Sequence, residues 1–283
     1  MKKLLLCVLA TIATTSAFAE DRFASVQIET IPVAGSVYML TGAGGNIGVS
    51  VGDDGMLMVD DQYAPLSDKI KAALAALGTD TPDFILNTHY HGDHMGGNIN
   101  FPDSVIMAHD NVRARLVLDT QLAPGALPVM TYSDRMSVHY NGGEIQLIHQ
   151  PTGHTDDDTV VYFTAEYVIH MGDNFFADRF PYVDLDAGGS VNGLILNIRE
   201  TLQTANDDTL IIPGHGDLAT PADLKRYLGM LEQTSGFVRS QMSEGMSLGE
   251  IIEAGLPATW EDWAWGFITE ERWITTLYRE HAS

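Results

Sequence analysis

The sequence predicts an α+β domain in which two β-sheets pack together and helices cover their outer faces. Two observations support this class. Short apolar strands occur first as hairpins and later in alternation with helices, and the same order recurs in the second half of the chain without sequence repetition. Strands and helices in this order are typical of two packed sheets flanked by helices.

The first 19 residues have the features of a secretory signal peptide. Lys2 and Lys3 precede an apolar run that starts at Leu4, and small residues lead to Ala19. A membrane anchor is the weaker alternative because this run is much shorter than the ~20 residues of a spanning helix. We expect cleavage after Ala19, a periplasmic or secreted protein, and one domain at 20–283 with a helical C-terminal tail.

Charge and cysteine content narrow the classes of partner. The formal net charge of −23 repels polyanions and argues against nucleic acid. The single cysteine, Cys7, lies in the predicted signal peptide, so the mature chain has no disulfide and no thiolate for a metal. We expect a small-molecule substrate and no nucleic-acid or membrane partner, while the oligomeric state stays open.

The first half of the chain is predicted to form hairpin strands, one helix and a further strand. Alternating apolar residues place strands at 37–40, 46–51 and 56–59. A helix at 65–77 is ended by Gly78, and a short apolar strand follows at 83–86.

The second half repeats this theme with strands at 145–149, 159–164, 167–170 and 209–212 and a helix at 191–204. After Thr220 the chain is predicted to be helical, with capped helix starts at Thr220 and Ser247. Four tryptophans are expected to pack against the domain, although one could line a substrate groove: Trp260, Trp263, Trp265 and Trp273.

Four candidate metal ligands lie within six residues after strand 83–86: His89, His91, Asp93 and His94. His89 and His91 point the same way in an extended segment, because side chains repeat every second residue, so both can reach one ion. Asp93 and His94 follow the turn at Gly92 and can serve a neighbouring ion. Imidazole and carboxylate together suit zinc, with iron or manganese as alternatives.

Three further candidate ligands lie beside glycine, each just after an apolar strand: His154, Asp173 and His215. His89, His91 and His154 would bind one ion, Asp93, His94 and His215 would bind the other, and Asp173 could bridge both. Three protein ligands leave an open position for water, as in catalytic sites. Asp156 to Asp158 are expected to form a solvated turn. The other histidines are expected to be ordinary surface or core residues: His109, His139, His149, His170 and His281.

This order of ligands resembles the metallo-β-lactamase superfamily, whose signature is His-x-His-x-Asp-His followed by a later His, Asp and His. The resemblance covers nearly the whole mature chain and implies an αββα four-layer sandwich, two zinc ions, and a ligand role for all seven residues. It also implies a hydrolase, in which water held by two cations loses its proton near neutral pH and is oriented by Asp93. Tyr90 is expected to pack beneath the loop.

The resemblance leaves several substrate classes open, because the same kind of metal centre serves many reactions. Well-known exported zinc β-lactamases carry a cysteine where Asp173 stands and a lysine where Phe176 stands, and they commonly lack a metal-binding histidine at the place of His94. Arg179 could replace that lysine. The ligand set is closer to glyoxalase II, yet an acidic tail and predicted export do not suit a glutathione thioester.

We therefore expect hydrolysis of a lactam, lactone, ester or thioester. The alternatives are a true β-lactamase, a persulfide dioxygenase with one iron, and a metal carrier without catalysis.

Overall fold

The computed structural model describes residues 22–282, so the predicted signal peptide lies outside the described residues. The first half of the chain forms a seven-stranded sheet in the order β1 to β7. Strands β1 to β4 are antiparallel, whereas β4 to β7 are parallel. Its strands are β1 (Glu29–Ala34), β2 (Val37–Thr41), β3 (Ile47–Gly52), β4 (Gly55–Val59), β5 (Phe84–Leu86), β6 (Val105–His109) and β7 (Met130–Tyr132).

The second half forms a five-stranded sheet in the order β12-β11-β10-β9-β8. Strands β8 to β11 are antiparallel, and β12 joins β11 in parallel after a helical crossover. Its strands are β8 (Arg135–Tyr140), β9 (Gly143–Gln150), β10 (Asp158–Phe163), β11 (Val168–His170) and β12 (Leu210–Ile212).

Seven α-helices and several short 3₁₀ turns connect and cover the sheets in the described residues. The helices that begin after Thr220 and Ser247 carry capping boxes, as the sequence predicts. The helices are α1 (Ser67–Leu77), α2 (Gly92–Met95), α3 (Asp110–Leu116), α4 (Val191–Thr204), α5 (Pro221–Ser243), α6 (Leu248–Ala254) and α7 (Glu270–Ala282). None of these helices has the length and apolar character needed to cross a membrane.

The central strands are buried on both faces, which explains their nearly continuous apolar sequence. Leu57 and Val59 of β4 point into the core between the sheets, where they share a cluster with Phe163 of the second sheet. Met56 and Met58 point the other way, into the cluster formed with α1. Helices α4, α5 and α7 cover the outer face of the second sheet. The layers therefore follow the order helix, sheet, sheet, helix, and the αββα prediction is confirmed.

The predicted strands and helices agree with the structure to within a few residues, but four strands and two short helices, α2 and α3, were not predicted. Strands β1 and β8 lie at sheet edges and β7 has only three residues, so their sequences lack a clear apolar pattern. Strand β6 and helix α3 were also missed.

The predicted solvated turn at Asp156 to Asp158 is wrong. Asp157 and Asp158 are buried, and Asp158 begins β10. The Thr155 hydroxyl lies 2.8 Å from Asp157 Oδ1 and 2.6 Å from Asp158 Oδ1. Burial raises the pKa of both carboxyl groups. Three consecutive acidic residues suggested exposure, whereas these hydrogen bonds make burial of two of them tolerable.

Candidate metal centre

The seven predicted ligands meet at one edge of the interface between the sheets. The loop after β5 supplies His89, His91, Asp93 and His94, while the loops after β9, β11 and β12 supply one ligand each. Their donor atoms form two groups, and within each group all donors lie within 4.8 Å of one another. The first ligand group is His89, His91, His154 and Asp173, and the second ligand group is Asp93, His94 and His215.

The carboxylate of Asp173 lies between the two groups. Its Oδ1 atom is 3.1 Å from His94 Nε2 and 3.4 Å from His215 Nε2. Its Oδ2 atom is 3.5 Å from His154 Nε2 and 3.9 Å from His89 Nε2. Oδ1 is buried and accepts no hydrogen bond of normal geometry. A buried carboxylate oxygen in this situation needs a cationic partner, and a metal ion between the groups would supply one.

The nitrogen atoms of the first group converge in a way that suits a metal ion. His91 Nδ1 lies 2.8 Å from His154 Nε2 and 3.1 Å from His89 Nε2. A tetrahedral zinc site with bonds of about 2.1 Å has ligand separations of about 3.4 Å, slightly longer than these. The donor set of imidazoles and carboxylates therefore fits divalent zinc.

The other ring nitrogens of His94 and His89 are held by a buried network around Asp60. Asp60 Oδ2 lies 2.7 Å from His94 Nδ1 and also accepts the Thr88 hydroxyl. Because that hydroxyl donates to Asp60, its oxygen is free to accept the Nδ1 proton of His89 at 3.1 Å. Both Nε2 atoms then face the centre. Asp60 follows β4 with φ of 62°, an uncommon backbone conformation held by these contacts.

The rings of His154 and His91 are held by a loop of the second half. His154 Nδ1 lies 2.7 Å from the Tyr182 carbonyl oxygen, and His91 Nε2 lies 3.2 Å from Asp184 Oδ2. The Tyr90 hydroxyl donates to the same Asp184 oxygen at 2.8 Å. These bonds fix the tautomers that present His154 Nε2 and His91 Nδ1 to the first group. Tyr90 thus has a polar partner beyond the packing that was predicted.

Two imidazoles of the first group, His89 and His154, favour the neutral form. Burial, followed by the neighbouring His94, lowers the pKa of His89 well below its usual value. Burial also lowers the pKa of His154 to about 4, although Asp173 opposes the shift. Neutral imidazoles carry the lone pair that a metal ion requires.

The imidazoles of the second group favour the protonated form when no metal is bound. Burial opposes a charge on His215, but Asp173 and Asp93 outweigh it and raise the pKa of His215 to about 9. Burial likewise opposes protonation of His94, yet Asp173 and Asp60 raise its pKa well above its usual value. In return, these histidines outweigh burial and lower the pKa of Asp93 and Asp173.

Two glycines allow the backbone to approach these ligands. A β-carbon at Gly45 would lie 2.1 Å from His94 Cε1, and one at Gly214 would lie 2.1 Å from Asp173 Oδ1. No side chain fits at such distances, so the close packing around both ligands requires glycine at these positions.

Four of the seven predicted ligands form the floor of an open cleft of about 620 Å³: His91, Asp93, Asp173 and His215. Aromatic side chains form its walls, including Trp265 from the C-terminal tail, which fulfils the expectation that one tryptophan could line a groove. Phe176 stacks on His215 with ring centroids 5.0 Å apart. Among residues 22–282, Arg22 is the only arginine or lysine that lines the cleft. Arg179 instead lies over Trp265, with Cζ 5.3 Å from the ring centroid.

The histidines left out of the predicted site also lie outside both ligand groups. His170 is buried, with Nε2 3.0 Å from the Asn46 carbonyl oxygen. His109 and His149 stack on each other with centroids 3.5 Å apart. Sequence reasoning did not identify Asp60, Asp184 and Tyr182, which hydrogen-bond to ligand rings. It also did not identify Phe267, which is part of the cleft wall.

Comparison with known proteins assigns the family. The model of the metallo-beta-lactamase superfamily matches residues 33–215. The alpha subunit of 2,4-dinitroanisole O-demethylase from Nocardioides sp. (strain JS1661) is 31% identical over 67% of this chain and 58% of its own length. A hydroxyacylglutathione hydrolase from Synechococcus sp. is 28% identical over 53% of this chain and 56% of its own length. The chain thus spans little more than half of these relatives.

A solved metallo-beta-lactamase from Pontibacter korlensis has the same fold. Its TM-score is 0.61 at 17% identity, and the match covers 73% of this chain and 99% of that protein. The sandwich, the ligand order and the match over residues 33–215 lead to one conclusion: the chain belongs to the metallo-β-lactamase superfamily.

Proposed function

We propose that this protein is an exported zinc-dependent hydrolase that holds two metal ions and cleaves a lactam, lactone, ester or thioester. The observation that carries this proposal is the position of Asp173, whose two oxygens face different ligand groups. One carboxylate shared by two groups of three further donors is suited to a pair of neighbouring ions. The expected partner is a small molecule, because the cleft has the volume of a small-ligand site.

The seven predicted ligands would bind the two ions in two sets that share Asp173. His89, His91 and His154 would hold one zinc ion, His94, His215 and Asp93 the other, and Asp173 both. When bound, the ions would lower the pKa of water and polarise the substrate carbonyl. Asp93 lines the cleft, and its lowered pKa keeps it ionised, so its carboxylate can accept a hydrogen bond from water and orient it.

The proposal is tested by metal analysis and hydrolysis of a substrate panel by the purified, zinc-loaded mature protein. The panel contains a chromogenic cephalosporin, a lactone, an ester and a thioester, with His89→Ala as the blank for contaminating enzymes. We expect two zinc ions per chain and turnover of at least one substrate that the variant loses. Turnover of the cephalosporin would identify a true β-lactamase.

Two outcomes would overturn the hydrolase proposal. One iron per chain with oxygen uptake on a persulfide would identify a dioxygenase. Two bound metal ions without turnover of any panel member would favour a metal carrier.

Export is tested separately by N-terminal sequencing of the protein from a periplasmic fraction. Cleavage after Ala19 would leave Glu20 as the first residue. Recovery of the intact chain from the cytoplasm alone would contradict export without affecting the proposed reaction.

A further inference from the structure

We propose that Tyr182, Trp265 and Phe267 form an aromatic recognition surface that selects substrates with an aromatic ring close to the scissile carbonyl. This inference rests on the proposed hydrolase function and narrows its substrate class. We call the three residues the aromatic arch.

The aromatic arch runs over the cleft from one ligand group to the other. At one end, the ring centroid of Tyr182 lies 5.7 Å from that of His91. At the other end, the ring of Trp265 lies 6.3 Å from that of His215. Phe267 joins them, with its centroid 5.6 Å from each. A substrate bound at both ligand groups would therefore lie against all three rings.

The arch is held in place before any substrate binds. The Trp265 indole donates to the Phe180 carbonyl oxygen at 2.9 Å, which fixes the plane of the ring. Arg272 donates to the Phe267 carbonyl oxygen at 2.9 Å, and its guanidinium carbon lies 4.3 Å from the Phe267 ring centroid. Because these contacts hold Trp265 and Phe267 in position, binding a substrate ring costs little additional conformational entropy.

Among the three residues of the aromatic arch, Phe267 has an exposed ring that a bound ligand would cover. Its side chain is 49% exposed and lines the cleft. An exposed phenyl ring at the rim of a cleft contributes little to folding, whereas it offers an edge or face to another ring. The tilted arrangement of the arch, 73° to Tyr182 and 57° to Trp265, suits edge-to-face contact with an incoming ring.

The charge of the cleft disfavours a polyanionic substrate. Arg22 is the only arginine or lysine that lines it within residues 22–282, and the protein as a whole is strongly acidic. The seven predicted ligands lie within the residues that the family model matches, 33–215, whereas Trp265 and Phe267 of the arch lie beyond them. The C-terminal tail therefore brings its own recognition surface to the metal centre.

The test compares two thioesters of N-acetylcysteamine, one with a 3-phenylpropanoyl and one with a butanoyl group. Two methylene groups insulate the phenyl ring from the carbonyl, so the two substrates have similar intrinsic reactivity. We expect kcat/KM of the zinc-loaded protein to favour the phenyl substrate by about tenfold. Phe267→Ala should remove most of this preference, and Phe267→Leu should keep only the part due to apolar contact.

Leu196→Ala is the matched control, because Leu196 is an exposed apolar residue that does not line this cleft. It should leave the preference unchanged. Equal kcat/KM for both thioesters, or a preference that survives in Phe267→Ala, would overturn the arch while leaving the hydrolase proposal intact.

A binding measurement keeps the two proposals separable. Quenching of tryptophan fluorescence reports binding of 3-phenylpropanoate and butanoate whether or not either thioester is cleaved. We expect 3-phenylpropanoate to bind about tenfold more tightly, and Phe267→Ala to remove the difference. If the wild-type protein binds both acids equally, the arch is overturned. If nothing on the panel is hydrolysed but the aromatic acid binds selectively, the hydrolase proposal fails and the arch stands.

Discussion

The two ligand groups of the metal centre differ in how the protein prepares them for a cation. In the first group, burial keeps His89 and His154 neutral, and their second nitrogens are held by a hydroxyl and a backbone carbonyl. In the second group, carboxylates surround His94 and His215 and favour their protonated forms. The first group therefore offers free lone pairs, whereas the second satisfies its carboxylates with protons until a metal replaces them.

This difference teaches that similar ligands need not make similar sites. A metal ion meets little competition from protons at His89 and His154, whereas at His94 and His215 it must displace protons that the surrounding carboxylates favour. The two groups should therefore load metal differently, although Asp173 belongs to both.

Loss of a ligand from either group should have the largest effect. His89→Ala weakens the first group and Asp93→Ala the second, and each should lower kcat/KM by more than about a thousandfold if both ions act together. Activity measurements with thermal melts will separate loss of turnover from unfolding. His109→Ala, outside both groups, should change little. Full activity in either ligand variant would mean that one group alone suffices.

Metal loading of the second group should depend more steeply on pH. The pKa of His215 is raised to about 9, so its proton is held below that pH and must leave when a metal binds. Zinc affinity of the second group should fall by about tenfold per pH unit, for each proton displaced, as the pH drops from 9 towards 7. The first group should change little there, because the pKa of His154 is about 4.

Zinc titrations at several pH values, with proton release measured by calorimetry in two buffers, will check this expectation. Parallel pH dependence of both binding steps would contradict the difference between the groups. Simultaneous binding of both ions at every pH would contradict it as well.

The partners of the ligands should matter unequally. Asp60 is fully buried and joins His94 to Thr88, so Asp60→Asn should weaken zinc binding at the second group by about 10- to 100-fold. Asp184 is partly exposed and contacts His91 from the rim, so Asp184→Asn should have a smaller effect on the first group. Competition with a chromogenic chelator will measure both affinities. Equal losses would show that burial of the partner is unimportant.

Tyr90→Phe should have the smallest effect. It removes only the hydroxyl that donates to Asp184, so zinc affinity of the first group should fall by about two- to tenfold. Tyr140→Phe is the matched control, since it removes a hydroxyl that donates to Asp83, a carboxylate at the opposite end of β5 from the ligand loop. The control should lower the melting temperature but leave zinc affinity unchanged. If Tyr90→Phe behaves like the control, the Tyr90 hydroxyl serves stability alone.

Contiguous spacing and strand ends pointed to the seven residues that the structure brings together. His89 to His94 cluster in one loop, and His154, Asp173 and His215 each follow an apolar strand beside glycine. Their partners could not be found in this way. Asp60 lies 34 residues before His94, and Asp184 lies 93 residues after His91, so these contacts exist only once the sheets have packed.

Sequence-based prediction of the fold and of the cleft is limited in the same way, because some features exist only in the folded chain. The buried strands have apolar sequences that predict them, but the edge strand β8 alternates between exposed and half-buried residues and was missed. Phe267 has no sequence signal of its own, because its role depends on where the tail crosses the cleft.

The division of the ligands between two sheets has a consequence for how the molecule is assembled. Each ligand group draws donors from both halves of the chain, and β7 and β8 are joined only through Ser133 and Asp134. A chain cut at this connection would yield two fragments, each with an incomplete set of donors. Only the reassociated pair of fragments would present all seven donor residues, so metal binding would report fragment complementation. The bound metal ions would also hold the two halves together.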